Sequence, residues 1–266
     1  MCSSRYARAA LAVTVLALAA CNRAEPPLTP EAARAKGDAM LKQMSQTLSA
    51  AQTFSYRTEQ ALDRVKGAGE KSIERFERNT MIHRPNQIAF TDKGQDHDGG
   101  GWYDGKQLTI ISNKDKIWVR GPMPPTIDEA LDFVSAEYAV QIPTADLLYS
   151  NPYEALITAD TTGGWVNVEK AGGRSCEHLS YQQPVVDWQI WLAQDDRRLP
   201  CQFHITYKSQ TGQPTMRIVF HDWNMSATLA ETTFAPVVPE GYKRIKIMRH
   251  ATVVDENVAK EEGGKK

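Results

Sequence analysis

Apolar and polar residues alternate with a period of two through most of the chain between Phe54 and Trp223. The alternation comes in short segments, which are separated by turns rich in Gly, Asp and Asn such as Asp104-Gly105. Successive side chains of a β-strand point to opposite faces, so this pattern predicts strands with one buried face. Short turns of this kind join antiparallel neighbours. The sequence therefore predicts one large, curled antiparallel sheet whose apolar face needs a cover.

An amphipathic helix is predicted at the start of the folded domain. Thr29-Pro30-Glu31 supplies a capping residue, a proline in the first turn and an acidic side chain, which together indicate a helix start. Apolar residues then recur at helical spacing to about Ala51. This helix is available to cover part of the sheet.

A helical insertion is predicted in the middle of the chain. Thr126 and Glu129 have the spacing of a capping box, which predicts a helix over residues 126–138. Shorter helical turns are predicted at residues 144–149 and 152–157. The predicted fold class is therefore α+β, with a large curled antiparallel sheet covered by the N-terminal helix and this central insertion.

The N-terminus has the features of an export signal. Arg5 and Arg8 precede a charge-free run over residues 9–20, which is shorter than the roughly 20 apolar residues of a membrane-spanning helix. Leu18-Ala19-Ala20-Cys21 resembles the lipobox of bacterial lipoproteins, in which the cysteine receives a diacylglyceryl group. We therefore predict lipidation of Cys21; the alternative is an ordinary secretory signal with an incidental cysteine.

These signals divide the chain into four predicted parts. They are a signal peptide at residues 1–20, a lipidated, proline-rich tether at 21–30, a single domain at 31–250 and a charged, frayed tail at 251–266. Asn22 stands where an Asp would resemble the inner-membrane retention signal of enteric bacteria. The predicted location is therefore the periplasmic face of the outer membrane, with the lipid anchor as the contact to the membrane.

The charge balance argues against a polyanionic partner. The chain has 31 basic and 32 acidic residues and a formal net charge of −1. Removing residues 1–20 takes away Arg5 and Arg8 and no acidic residue, which leaves 29 basic and 32 acidic residues and a net charge of −3. Nucleic-acid binders usually show a strongly basic balance, so we expect no nucleic-acid partner and no general attraction to anionic membranes.

Cysteine usage fits an oxidising compartment. Cys2 leaves with the predicted signal and Cys21 is the predicted lipidation site, so Cys176 and Cys201 are the pair left in the domain. A lone pair in an exported protein predicts a disulfide. In a plain three-stranded meander the two residues would lie about 9.6 Å apart, beyond the reach of about 7 Å of a disulfide. A bulge, or an early end of the middle strand, must bring them together.

Several short motifs resemble those of a family of predicted periplasmic proteins of unknown function. The likeness runs from about Phe54 to Trp223. That family is similar to the LolA/LppX group of lipoprotein carriers and lipid-binding lipoproteins, which implies a LolA-like unclosed β-barrel around an apolar cavity. The resemblance supplies no catalytic residues, and fold alone does not define function. The motifs are Arg84-Pro85-Asn86, Trp102-Tyr103-Asp104-Gly105-Lys106, Ile127-Asp128-Glu129-Ala130-Leu131, Pro143-Thr144-Ala145-Asp146-Leu147-Leu148, Asp187-Trp188-Gln189-Ile190-Trp191 and Leu199-Pro200-Cys201 with Ile205-Thr206-Tyr207-Lys208.

Motifs for catalysis and cofactor binding are absent from the sequence. It contains no G-x-S-x-G, H-E-x-x-H or G-x-G-x-x-G pattern. Cys201 and His204 are of zinc-ligand types but lie three apart on a predicted strand, so they point to opposite faces. Residues 96–101, an Asp-His-Asp sequence followed by three glycines, are interpreted as a solvated turn. We expect no enzymatic activity, no cofactor and no metal, although catalytic triads defined by geometry alone stay open.

The predicted function is binding of a lipid or an acylated protein. Apolar surface gains about 25 cal/mol per Å² on leaving water, so an apolar cavity between sheet and helices would hold a lipid chain. Alternation shows which face is buried but not whether it is filled. The alternative is therefore a structural or scaffold lipoprotein that binds a protein partner and has no cavity; in either case we expect a monomer. The residues predicted to line the cavity are Trp188, Ile190, Leu192, Phe203, Ile205, Tyr207, Ile218 and Phe220 on the sheet, with Leu131 and Val134 on the covering helix.

Overall fold

The computed structural model describes residues 27–66, 70–140 and 142–246. The predicted signal peptide, the lipidation site Cys21, most of the tether and the tail at 251–266 lie outside these residues. No helix in the described part of the chain has both the length and the apolar character that a bilayer crossing requires.

In these three ranges twelve strands form one sheet, in the order β12-β6-β5-β4-β3-β2-β1-β11-β10-β9-β8-β7. Neighbouring strands are antiparallel except β12 and β6, which run parallel. The large, curled antiparallel sheet predicted from the alternation is confirmed, and the sheet is unclosed, as the family resemblance implies. The strands are β1 (Thr53–Val65), β2 (Lys71–His83), β3 (Gln87–Gly94), β4 (Asp98–Tyr103), β5 (Gln107–Ser112), β6 (Ile117–Pro122), β7 (Thr162–Ala171), β8 (Arg174–Gln182), β9 (Val186–Ala193), β10 (Pro200–Tyr207), β11 (Thr215–Asn224) and β12 (Lys243–Arg244).

The first helix, α1 (Pro30–Ala50), begins where the sequence predicts. Thr29 caps it, since the side-chain oxygen accepts a hydrogen bond from the backbone N–H of Ala32 at 3.3 Å. The apolar stripe of α1 packs on the half of the sheet formed by β7 to β11. Its buried members are Met40, Leu41, Met44 and Leu48.

Two glycines let α1 approach β7 closely. A Cβ atom on Gly37 would lie 2.5 Å from the hydroxyl oxygen of Tyr181 on β8. A Cβ atom on Gly164 of β7 would lie 2.5 Å from the backbone oxygen of Ala33. The helix therefore lies almost directly on the backbone of this edge strand.

The central insertion supplies α2 (Ile127–Tyr138) and α3 (Pro152–Leu156), with a 3-10 turn at Ala145–Leu147 between them. Thr126 caps α2 as predicted: the backbone N–H of Glu129 donates to the Thr126 hydroxyl at 3.3 Å. The Glu129 carboxylate accepts from that hydroxyl at 2.8 Å and not from the backbone N–H of Thr126, so the second bond differs from that of a capping box. All three predicted helical segments of the insertion are confirmed.

The Arg84 side chain ties the insertion to α1. Its guanidinium donates to the backbone oxygens of Leu48 at 3.3 Å, Leu148 at 2.9 Å and Tyr149 at 3.1 Å. On the other side of the insertion, the Ser150 hydroxyl donates to an Asp128 carboxylate oxygen at 2.6 Å. These bonds hold the loop after α2 against both helices and fix its position over the sheet.

Cys176 and Cys201 form a disulfide, with 6.8 Å between their Cα atoms. The geometric obstacle is removed by a bulge, because the register between β10 and β9 shifts between Pro200 and Gln202. Cys201 is the residue at the shift. A small cluster of Ala171, Trp191 and Ala193 packs around the bridge.

The interpretation of residues 96–101 as a solvated turn is wrong for its second half. Asp98–Tyr103 forms β4, which pairs with β3 and β5. Glycine suits this strand because the neighbouring side chains take up its space: a Cβ atom on Gly101 would overlap the ring of Phe90. Strand pairing outweighs the usual preference of glycine for turns here.

We predict that Gly164→Ala destabilises the protein through the contact between α1 and β7. The added methyl meets backbone atoms of Ala33 and Arg34, so helix or strand must shift, at a cost of about 1–3 kcal/mol in unfolding free energy. Urea denaturation followed by fluorescence measures the loss. Gly121→Ala on β6 is the control, because a Cβ atom there meets nothing within 4 Å. Equal losses in both variants would contradict the close approach.

Candidate functional site

A cavity of about 770 Å³ lies between the sheet half formed by β1 to β6 and the helical insertion. Six consecutive strands contribute to its wall, so the sheet curves around it. The volume falls in the range of roughly 300–1,000 Å³ that is usual for small-molecule sites. The side chains that line it are Tyr56, Thr58, Gln60, Arg78, Thr80, Ile88, Phe90, Tyr103, Leu108, Ile110, Val119, Arg120, Met123, Ile127, Ala130, Leu131, Val134, Tyr138, Val140, Ile142, Pro143, Thr144, Leu148, Arg244, Ile245 and Lys246, and Gly101 and Gly121 complete the wall.

Most of the wall is apolar. Strand pairing explains why these residues share a face: Ile88 lies opposite Tyr103, Tyr103 opposite Leu108, and Gly101 opposite Ile110. The buried face of α2 closes the other side, and the loop that follows α2 extends it. The arrangement can take up an apolar ligand but offers it few directional contacts.

A polar floor lies on β1 and β2. The amide nitrogen of Gln60 donates to the Thr58 hydroxyl at 2.8 Å, and both residues are buried. Arg78 is held by two hydrogen bonds to the carboxylate of Asp92, at 2.6 and 2.7 Å. Its guanidinium also lies 4.3 Å from the centre of the Phe90 ring. The charge of Arg78 is therefore balanced within the wall.

Arg120, Arg244 and Lys246 border the cavity at the edge formed by β6 and β12, but the guanidinium groups of Arg120 and Arg244 lie on the opposite face of the sheet, beside Trp118. Arg244 and Lys246 are exposed, as is Val140 in the loop after α2. Wall residues such as Ile127 on α2 are almost fully buried. Among the described residues, the cavity therefore meets solvent beside the β6–β12 edge.

Two titratable groups flank the site, the buried Tyr103 and the partly buried Asp146. The hydroxyl of Tyr103 donates to the backbone oxygen of Pro124 at 2.5 Å, and burial, reinforced by the carboxylates of Glu129 and Asp104, raises its pKa to about 12. Asp146 lies in the 3-10 turn between wall residues of the loop. Burial raises the pKa of its carboxyl to about 6. The phenol stays neutral at physiological pH, whereas the carboxyl titrates close to that range.

The structure places the predicted lining residues in two groups. Leu131 and Val134 on α2 contribute to the wall. The eight predicted sheet residues do not; seven are buried and Tyr207 is partly buried, and all eight lie on β9, β10 and β11, in the hydrophobic core or packed against it. The cavity thus lies under the half that the sequence analysis did not choose. The eight residues are Trp188, Ile190, Leu192, Phe203, Ile205, Tyr207, Ile218 and Phe220.

The difference arises from the two helical covers. The 21 residues of α1 bring large side chains onto β7 to β11, and Trp188 stacks on Tyr181 with ring centres 4.4 Å apart. The 12 residues of α2 face β1 to β6 with smaller buried side chains such as Ala130 and Val134. The smaller cover leaves space. The buried face of α2 also carries Ile127 and Leu131, so the sequence signal for the space was the shorter length of this helix together with Ala130 on its buried face.

Fold and site together define an α+β protein whose open sheet is packed on one half and encloses an apolar cavity on the other. The chain belongs to the family described as "Predicted periplasmic protein (DUF2092)", whose pattern matches residues 37–248. The resemblance to a predicted periplasmic family is thereby confirmed. No curated protein matches the sequence.

Solved structures with a similar fold include LolA- and LppX-type proteins. An uncharacterised conserved protein from Thermus thermophilus shares 8% identity, with a TM-score of 0.46, over 78% of this chain and 96% of that one. The Mycobacterium tuberculosis lipoprotein LppX shares 13%, with a TM-score of 0.45, over 73% and 97%. A LolA superfamily protein from Nitrosomonas europaea shares 8%, with a TM-score of 0.36, over 75% and 97%.

We predict that Asp146→Asn stabilises the protein only where the native carboxyl is ionised. Since the folded-state pKa is raised to about 6, the folded protein holds the proton more tightly than the unfolded chain, and stability falls as the pH rises from about 4 through 6. Above about pH 7, the free energy of unfolding of the variant should exceed that of the native protein by about 1–3 kcal/mol. Below about pH 4 the two free energies should be equal. Urea titrations across this range measure it, and a pH-independent difference would contradict burial as the cause.

Proposed function

We propose that the protein binds the acyl part of a lipid, or of a lipid-modified protein, in the cavity under β1 to β6. The observation that carries the proposal is the size and apolar lining of this cavity. Apolar surface gains about 25 cal/mol per Å² when it leaves water. An acyl chain in an aqueous compartment would therefore partition into the cavity without needing a reaction or a cofactor.

The proposal includes the membrane attachment of the protein. Acylation of Cys21 at the lipobox would anchor the mature chain, and residue 22 favours the periplasmic face of the outer membrane as its location. Membership of a family of predicted periplasmic proteins supports this compartment. The anchored protein would act as a monomeric, non-enzymatic binding protein that does not contact nucleic acid.

A second candidate is a scaffold role through the exposed edge of the sheet. Strand β7 is the last strand in the order, and Val166 and Val168 on it are 46% and 45% exposed. A free edge strand can pair with a strand of another protein. Under this candidate the purified protein would carry no lipid, and photo-crosslinkers placed on β7 would join it to an envelope protein.

We predict that Ala130→Phe abolishes lipid binding. Ala130 lies in the cavity wall on the buried face of α2, so the added ring would occupy the space of the ligand. Lipid that co-purifies with the chain produced without its predicted lipidation site, residues 22–266, is measured by native mass spectrometry and by solvent extraction. The native protein should carry lipid, and Ala130→Phe should carry none while its urea midpoint stays close to native.

Ala136→Phe is the matched control. It makes the same substitution on the same helix but at an exposed position, so lipid binding should be unchanged. A native protein without lipid that also fails to take up an added fluorescent fatty acid would disprove the binding function. Equal lipid content in both variants would disprove the assigned site.

A further inference from the structure

The guanidinium of Arg78 lies on the cavity side of the sheet, far from the opening. Arg78 stands on β2 directly opposite Thr58 of β1 and Asp92 of β3. Its guanidinium lies 4.3 Å from the centre of the ring of Phe90, another wall residue. Four strand spacings, or about 19 Å, separate β2 from β6. Arg78 therefore belongs to the inner end of the cavity, remote from the β6–β12 edge.

The Arg78 guanidinium keeps hydrogen-bond donors free for a ligand. Of its five N–H groups, those of Nε and Nη2 donate to the Asp92 carboxylate at 2.6 and 2.7 Å. Nη1 has no hydrogen-bond partner among the described residues, and 22% of the side chain is exposed. Because neighbouring wall residues such as Thr58 and Thr80 are buried, this exposed surface faces the cavity. An unpaired donor in apolar surroundings costs free energy, and a ligand oxygen would remove that cost.

Two hydroxyl groups beside Arg78 are also unpaired among the described residues. Tyr56 of β1 and Thr80 of β2 lie directly opposite each other in the wall. The Thr80 hydroxyl is buried and has no hydrogen-bond partner, because the nearby Tyr56 phenol does not meet it with normal hydrogen-bond geometry. Burial raises the pKa of the Tyr56 phenol, which therefore keeps its proton and can donate it to a ligand. The inner end of the cavity thus offers unused donors from Arg78 and Tyr56.

The charges at this end favour a neutral ligand oxygen. The Asp92 carboxylate already balances the charge of Arg78. An anion bound at Nη1 would lie near that carboxylate, and the two negative charges would repel each other in apolar surroundings. A hydroxyl or an ester carbonyl accepts the same N–H without adding a charge.

The position of these donors also distinguishes between the two kinds of ligand in the proposed function. An acyl chain attached to a protein would enter from the opening with its terminal methyl group first. That methyl group would lie against Arg78 and Tyr56 and leave their donors unpaired. A free lipid can enter with its oxygen first, and this orientation pairs the donors.

We infer that the ligand is a free neutral lipid whose hydroxyl or ester carbonyl accepts hydrogen bonds from Arg78 and Tyr56 at the inner end of the cavity. Its hydrocarbon chain then extends toward the β6–β12 edge. The inference rests on the proposed lipid-binding function and specifies the chemistry and the orientation of the ligand.

The test compares methyl hexadecanoate with octadecane, a hydrocarbon of about the same length without oxygen. The chain produced without its predicted lipidation site, residues 22–266, is delipidated and equilibrated with both probes at equal concentration. Solvent extraction then measures the bound amount of each probe. The ratio of bound ester to bound hydrocarbon in a variant is divided by the native ratio, so the different solubilities of the probes cancel.

Arg78→Met combined with Asp92→Leu removes the donor together with its counter-charge, so that neither charge is left unpaired. The ratio of bound ester to bound hydrocarbon should fall about tenfold, because the ester carbonyl loses a charged hydrogen-bond donor. Lys208→Met combined with Asp187→Leu is the matched control. It removes an ion pair of 2.7 Å that lies outside the cavity wall, and the ratio should stay at the native value.

Tyr56→Phe removes a single hydroxyl and decides the test if urea denaturation shows that the double variant does not fold. The ratio of bound ester to bound hydrocarbon should fall about threefold, as expected for the loss of one hydrogen bond from a neutral donor. Tyr207→Phe is the control, because Tyr207 lies on β10 outside the cavity wall; it should leave the ratio unchanged.

The outcomes distinguish this inference from the proposed function. An unchanged ratio in Tyr56→Phe, or in a folded Arg78 and Asp92 double variant, disproves the assigned donors while the lipid-binding function stands. Displacement of the bound ester by an equal concentration of hexadecanoate disproves the preference for a neutral oxygen. If the native protein takes up neither the ester nor the hydrocarbon, both proposals fail.

Discussion

Antiparallel pairing between β1 and β11 joins two meanders into one sheet. Strand β1 pairs with β2 on one side and with β11 on the other, so that Thr58 lies opposite both Arg78 and Phe220. Without this pairing β1 to β6 and β7 to β11 would be separate sheets, each with an additional free edge. Because the sheet is continuous, α1 and α2 act on two halves of a single apolar face. The densely packed half, β7 to β11, can then stabilise the curvature of the half that encloses the cavity, β1 to β6.

The unequal cover of that face is what gives the protein a site. Under α1 the core is dense, and aromatic rings such as those of Trp188 and Phe203 stack 5.7 Å apart. Under α2 the smaller side chains leave the cavity, and Arg84 secures the loop that closes it. Interiors at normal packing density do not leave such spaces by chance. Polar side chains such as those of Thr58 and Gln60 concentrate on the floor, and most of the remaining wall is apolar.

The sequence predicted local structure and burial better than it predicted the site. Alternation identified buried strand residues such as Ile190 and Ile218, and capping signals at Thr29 and Thr126 located both main helices. The sequence did not predict where the cavity lies. Alternation shows which strand side chains face inward, but not how much volume the side chains of the covering helix fill above them. The bulge at Cys201 depends on register between distant strands. The contribution of β12 to the edge of the sheet was missed for the same reason: Lys243 pairs with Ile117 only after the chain has crossed half of the sheet.

The strand order also bears on how such a chain could be secreted. For a polypeptide threaded through a translocation channel amino end first, β1 emerges early but gains its second neighbour only when β11 has followed. The segment that carries Arg244 and Lys246 emerges later still. Because β1 must pair with β11, the sheet cannot be completed on the near side of the channel before the last strands have been synthesised. The edge of the cavity formed by β12 is built last. The topology would thus keep the chain threadable during export and delay completion of the cavity wall until the whole domain has reached the far compartment.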